Sequence, residues 1–151
     1  MKERTVKIIS WILFWGYICV LVYFMFFAEI WGRTSICDEY SYNLIPFKEI
    51  RRFYIYRDVV GIRAFLANLF GNVLAFMPYG FFMPILRPKL RRMNQMFLAA
   101  FLLSLTIEIT QLLTRVGSFD VDDLILNTAG GIAGYLLFYI MNKIRSKWDG
   151  A

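Results

Sequence analysis

The sequence predicts an all-α fold, a polytopic membrane protein made as a four-transmembrane-helix bundle with a short interfacial helix in the first outer loop. Two observations predict it. Hydrophobic residues make up 59% of the 151 residues, at a mean hydropathy of +0.54, more apolar surface than a water-soluble core of this length can hide. That content is gathered into four runs, about 8–28, 65–86, 96–113 and 124–141. Each is close to the roughly 20 residues with which a helix crosses about 30 Å of hydrocarbon. All four belong to one domain, residues 1–151.

The first run is too long for the apolar core of a secretory signal and no small-x-small cleavage site follows it, so a retained anchor is expected. Lys2, Arg4 and Lys7 precede it; Arg87, Lys89, Arg91 and Arg92 join the second and third runs; Lys143, Arg145 and Lys147 follow the fourth. Positive charge concentrates on the cytoplasmic side, which puts both termini inside and the loops 29–64 and 114–123 outside. The first outer loop has its own bases, Arg33, Lys48, Arg51, Arg52, Arg57 and Arg63, but diluted and mixed with Glu29, Asp38, Glu39, Glu49 and Asp58.

Within that loop Phe47, Ile50, Phe53 and Tyr54 recur at helical spacing with Lys48, Arg51 and Arg52 between them, and Pro46 suits a first turn. This is the expected interfacial helix, either an anchor in the headgroups or a basic lid facing anionic lipid or wall polymer. In the second span Ala67, Gly71 and Ala75, and in the fourth Gly130 and Gly134, are spaced four apart for close backbone packing. Pro78 and Pro84 with Gly80 are expected to bend or fray the inner end of the second span.

The 17 basic against 11 acidic residues, net +6, are distributed by topology and form no aromatic-interleaved groove, so no nucleic acid is expected as a partner. The two cysteines, Cys19 in mid-membrane and Cys37 beyond its edge, make no disulfide framework. Histidine is absent, which excludes mechanisms that need an imidazole base or ligand. No catalytic, cofactor-binding or metal-ligating residue is assigned, and no cofactor is expected.

Polar residues inside the spans converge on one depth. At about 1.5 Å per residue, Asn68 and Asn72 lie roughly 5 to 12 Å in from the outer surface, with Glu108 and Gln111 at a similar depth. Asn127 is one turn into the fourth span, and Arg115 continues the Glu108–Gln111 stripe outward. Glu108 in hydrocarbon must face the bundle interior or a wet cavity, bonded to an amide or paired with Arg115 or Arg63. Two explanations stand: hydrogen bonds that tie helices together, or a shared pocket in the outer leaflet. Asp120, Asp122 and Asp123 before the fourth span could hold a divalent cation. A duller account has Asp120 capping the helix, Asp123 in a capping-box position and all three complementing the helix dipole. The ligand-pocket candidates are thus Asn68, Asn72, Glu108, Gln111, Arg115, Asp120, Asp123 and Asn127.

Four blocks in order, covering about 43–135, resemble the VanZ-like family. Asn43-Leu44-Ile45-Pro46-Phe47 is similar to its outer-loop NLxPF. Gly71 to Gly80, with Asn72, Phe76 and Pro78, is similar to its second-span block, and Ser104, Glu108 and Gln111 match SxxxExxQ. Asp120, Asp123, Asn127, Thr128, Gly130, Gly131 and Gly134 match DxxDxxxNTxGGxxG. The resemblance implies a multi-pass protein of the bacterial plasma membrane. The name-giving member is associated with low-level teicoplanin resistance, and no enzymatic activity is established for the family. The sequence departs from that member by ending soon after the fourth span.

The expected function is binding of an amphiphilic envelope ligand, a lipid-linked wall precursor or a lipoglycopeptide such as teicoplanin, in the outer-leaflet pocket, with membrane lipids as standing partners and an oligomer left open. One alternative is an enzyme acting on a lipid phosphate or amide through carboxylate or metal-assisted chemistry. Others are a small proton-coupled exporter using Glu108, or a structural partner of a larger membrane complex.

Overall fold

The computed structural model describes residues 2–27, 40–56 and 61–148. The expectations for Cys37 and for the charged residues at 29–39 and 57–60 lie outside these. The elements in order are helix α1 (Lys2–Phe26), strand β1 (Tyr42–Asn43), helix α2 (Lys48–Ile55), helix α3 (Ile62–Leu86), a 3₁₀ turn (Pro88–Arg91), helix α4 (Met93–Thr114), strand β2 (Phe119–Asp120) and helix α5 (Val121–Trp148). Segments of α1, α3, α4 and α5 are each long and apolar enough to cross a membrane. The helices outrun their apolar cores: α1 begins at Lys2 and α5 continues to Trp148, because a helix keeps its backbone bonds in the headgroup region where hydropathy has already fallen.

Burial is inverted relative to a soluble protein. Ile12 and Leu113 are 67% and 68% exposed, whereas Glu108 and Asn127 are each 1% exposed. With lipid as solvent, apolar side chains gain little by hiding and polar ones gain much. Even the hydroxyls on the outer face of α4 are satisfied within the helix. Thr106 and Thr110 donate to the carbonyls of Leu102 and Thr106 at 2.7 and 2.6 Å.

The tightest pairing joins α3 to α5. A Cβ on Gly130 would lie 2.2 Å from the Val73 oxygen, one on Gly134 1.9 Å from the Met77 oxygen, and one on Gly80 1.8 Å from the Gly131 oxygen. No side chain fits at these crossings. Gly80 therefore serves close approach and not fraying, and α3 stays helical through Pro78 and Pro84 to Leu86. Gly71, expected in the packing stripe, has open space where a Cβ would project. Around this pair lie two apolar clusters, Phe14, Tyr79, Leu86, Met96, Ala100 and Tyr135 in one, Leu21, Met25, Phe76 and Ile107 in the other. Helix α1 packs chiefly on α3, where the Tyr17 hydroxyl donates to the Ala75 carbonyl at 2.8 Å.

At the end of the bundle away from the termini, here the loop end, β1 and β2 pair in parallel with Tyr42 opposite Phe119 and Asn43 opposite Asp120. These two-residue strands were not foreseen by periodicity, which needs a longer run to register. They bring the segment before α2 against the segment before α5.

Candidate functional site

The loop-end junction is built by carboxylates accepting backbone N–H groups. Asp120 immediately precedes α5 and accepts the Asp122 N–H at 2.8 Å, as an N-cap does. The same oxygen accepts from Asn43 Nδ2 at 3.1 Å, across the strand pair. The Asp120 N–H donates to Glu108 Oε2 at 2.9 Å. Glu108, from another helix, thus fills the acceptor role that a capping box would have given Asp123. Burial pushes the Asp120 carboxyl above its ordinary value of 3.8; the bonds from Asp122 N–H and Asn43 oppose that shift.

Asp122 does similar work for a different helix. The N-cap residue of α2, Phe47, is left-handed (φ 63°) and offers no side-chain cap. The orphan donors of a helix start need acceptors. Asp122 accepts the N–H groups of Phe47, of Glu49 at 2.8 Å and of Ile50 at 3.1 Å. A carboxylate at this pole of the helix dipole is also favoured electrostatically. Helix α2 therefore owes its start to the first turn of α5. Sequence reasoning placed Asp122 in the acidic cluster but left it out of the candidates; its partner is too far away in the chain to be read locally.

The remaining polar groups are distributed among separate contacts. Gln111 Nε2 donates to the Met25 carbonyl at 2.9 Å, satisfying an acceptor in the last turn of α1. Asn127 Nδ2 donates to Ser104 Oγ at 3.0 Å, tying α5 to α4; its Oδ1 is buried with no hydrogen-bond partner among the described residues. Arg115 leaves the Glu108–Gln111 stripe, because it ends α4 in a left-handed turn (φ 58°) and its guanidinium stacks over the Tyr40 ring at 4.5 Å. The side chain of Asn68 lies outside the described residues.

Asn72 and Asp123 are bonded to each other, Asn72 Nδ2 to Asp123 Oδ1 at 2.5 Å. They form the polar end of a cavity of about 440 Å³ between α1 and α3. Its walls are apolar: Leu21 and Phe24 from α1, Ala67, Leu74 and Pro78 from α3. The cavity follows from the small residues of α3, since Ala67, Gly71 and Ala75 all line it and leave a notch facing α1. Of the described pocket candidates, Asn72 and Asp123 line this cavity, while Glu108, Gln111, Asp120 and Asn127 are buried in the helix-joining contacts. Among the described residues no group of three His, Cys, Asp or Glu is placed to hold a metal ion.

The VanZ/LLP1 family model matches residues 14–142. The chain belongs to the VanZ/LLP1 family. A curated relative, Protein VanZ of Enterococcus faecium, is 29% identical over 139 residues, 91% of this chain and 78% of that one. No solved structure matches the chain. In this VanZ-family chain the four sequence blocks meet in space: Asn43 with Asp120, Asn72 with Asp123, Glu108 with the Asp120 N–H, and Ser104 with Asn127. The multi-pass membrane architecture and the family thus agree.

Proposed function

We propose that this chain is a single VanZ-like domain of the bacterial plasma membrane, both termini cytoplasmic, that binds an amphiphile in the cavity between α1 and α3. The tail lies along the apolar walls, and the Asn72–Asp123 pair meets the first polar group of the head. A lipid-linked wall precursor or a lipoglycopeptide such as teicoplanin has this form, and holding either one would contribute to glycopeptide resistance. The observation that carries the reading is one apolar cavity of about 440 Å³ that ends at a bonded amide and carboxylate. That volume is within the roughly 300 to 1,000 Å³ range of small-molecule pockets. Membership in a family whose curated relative is named Protein VanZ supports the choice of ligand class. The positive-inside distribution supports the orientation, which directs the cavity's polar end outward.

The enzymatic alternative draws less support, because the Asp120 and Asp122 carboxylates are occupied by backbone N–H groups. The exporter alternative has no acidic residue between 59 and 107 or between 124 and 148 to continue a proton path from Glu108.

The test is teicoplanin susceptibility in glycopeptide-sensitive cells expressing the chain, the Gly71→Leu variant or an empty vector. A glycopeptide without an acyl tail serves as the control. Protection against the tailed drug alone, lost with Gly71→Leu at equal membrane abundance, is the expected result. Photo-crosslinking of an acyl-tailed precursor analogue to α1 or α3 checks the same site directly. Full protection and undiminished crosslinking in Gly71→Leu would sink the reading.

A further inference from the structure

A second cavity, of about 600 Å³, opens at the other end of the bundle, where both termini lie. Phe81 and Ile85 of α3 and Phe138 of α5 line it, and Arg91, Arg145 and Asn142 supply its polar groups. Val6 of α1 lines it as well. Glu3 and Asp149 are the acidic residues near these segments in the sequence, against Arg87, Lys89, Arg91, Arg92, Lys143 and Arg145, and no acidic residue occurs between 86 and 107 or between 124 and 148, so positive charge predominates around the cavity.

Arg91 is held in place by a consequence of the proline pattern. In a continuing helix the Pro84 carbonyl would accept from the residue four positions on, which is Pro88 and has no N–H. Arg91 Nε takes that acceptor at 3.2 Å. The Tyr135 hydroxyl donates to the Arg91 carbonyl at 2.7 Å and fixes its backbone against α5. The Nε bond to Pro84 uses one of the five guanidinium donors. A positioned guanidinium beside an apolar cleft is suited to a phosphate diester with acyl chains, because Arg matches phosphate oxygens in a planar fork.

We infer that this cavity is a binding site for an anionic phospholipid, with the phosphate between Arg91 and Arg145 and an acyl chain against Phe81, Ile85 and Phe138. The occupant is a bilayer lipid and not a soluble anion, because the cleft below the two arginines is apolar and borders the lipid-facing surface of α5, where Met141 and Ile144 are each about half exposed. Basic clefts between transmembrane helices select anionic headgroups over zwitterionic ones of the same chain length. The site is independent of the loop-end cavity and of the ligand proposed for it.

The full chain, purified in detergent and titrated with dioleoylphosphatidylglycerol or dioleoylphosphatidylcholine, is read by native mass spectrometry for retained lipid and by thermal midpoint. Phosphatidylglycerol is expected to bind and raise the midpoint, and phosphatidylcholine to bind at least about tenfold more weakly. Arg145→Gln should weaken phosphatidylglycerol about fivefold, and Arg91→Gln with Arg145→Gln about thirtyfold, one factor per arginine. Arg145→Gln leaves the Arg91–Pro84 bond in place and so keeps the test open if the double variant does not fold. Equal binding of the two lipids, undiminished binding in Arg145→Gln, or equal protection by inorganic phosphate alone would overturn the assignment.

Discussion

At the loop end, the carboxylates of Glu108, Asp120 and Asp122 accept backbone N–H groups, and the Asn43 side chain donates to Asp120 across the strand pair. Toward the terminal end, α3 and α5 meet backbone to backbone at Gly80, Gly131 and Gly134, flanked by Tyr79 and Tyr135. The first kind of contact is directional: it survives a substitution that keeps an acceptor in place and fails when the acceptor is removed. The second has no directional partner and fails when an atom is added. The bundle therefore has one end that tests chemistry and another that tests volume.

Adding volume gives the largest expected effect. Gly134→Val puts a branched side chain where even a Cβ would be 1.9 Å from the Met77 oxygen. That overlap should cost more than ~3 kcal/mol, and size-exclusion in detergent should show no monodisperse peak. Removing an acceptor comes next. Asp122→Ala strands the N–H groups of Phe47, Glu49 and Ile50 and should cost about 2 to 3 kcal/mol, mostly in α2. Hydrogen exchange at those amides should accelerate while α3 and α5 keep their protection; Asp122→Asn should recover much of the loss.

Glu108→Ala removes the acceptor of the Asp120 N–H and should cost about 1 to 3 kcal/mol, whereas Glu108→Gln, which keeps a carbonyl oxygen there, should cost less than about 1 kcal/mol. Thermal midpoints of the pair in one detergent separate acceptor geometry from charge.

A smaller effect is expected from pH. The folded state holds the Asp120 carboxyl above its unfolded value of 3.8, chiefly through burial, so folding favours its protonated form. The contribution is fully present below the unfolded value and is lost as pH rises through the folded one. Stability measured upward from about pH 4 should therefore decline by an increment that Asp120→Asn abolishes. The smallest effect on stability belongs to Gly71→Leu, which projects into open space and should leave the thermal midpoint nearly unchanged while closing the α1–α3 cavity. A large drop in midpoint would show that α1 depends on that notch staying open.

Much of the architecture was readable in advance because its cause is local. Four apolar runs of membrane length and the spacing of Ile50, Phe53 and Tyr54 each reflect a short stretch of chain, and the helices follow them, although α2 starts at Lys48 and leaves Pro46 and Phe47 outside its first turn. Partnerships were less legible. The distances that matter are long in sequence: Asp122 reaches Glu49 and Asn43 reaches Asp120 across more than seventy residues. No periodicity encodes such a pairing. The small residues of α3 show a different obscurity, since Ala67, Gly71 and Ala75 have the spacing of a packing stripe and yet face a cavity, while Gly80, outside that stripe, makes the close crossing with Gly131. Spacing fixes which residues share a face; it does not say whether a neighbour covers that face. Arg115 was misplaced for a third reason, because a stripe extrapolated along a helix does not know where the helix stops.

The cap that Asp122 provides to α2 also imposes an order on biosynthesis. A ribosome delivers residues 47–50 long before it delivers Asp122, so the interfacial segment must wait, its first amides solvated or in the headgroups, until α5 has entered the bilayer. Emergence of the fourth membrane-length helix is then the event that completes α2. A nascent chain stalled before that point would leave this stretch open to proteases at the membrane surface.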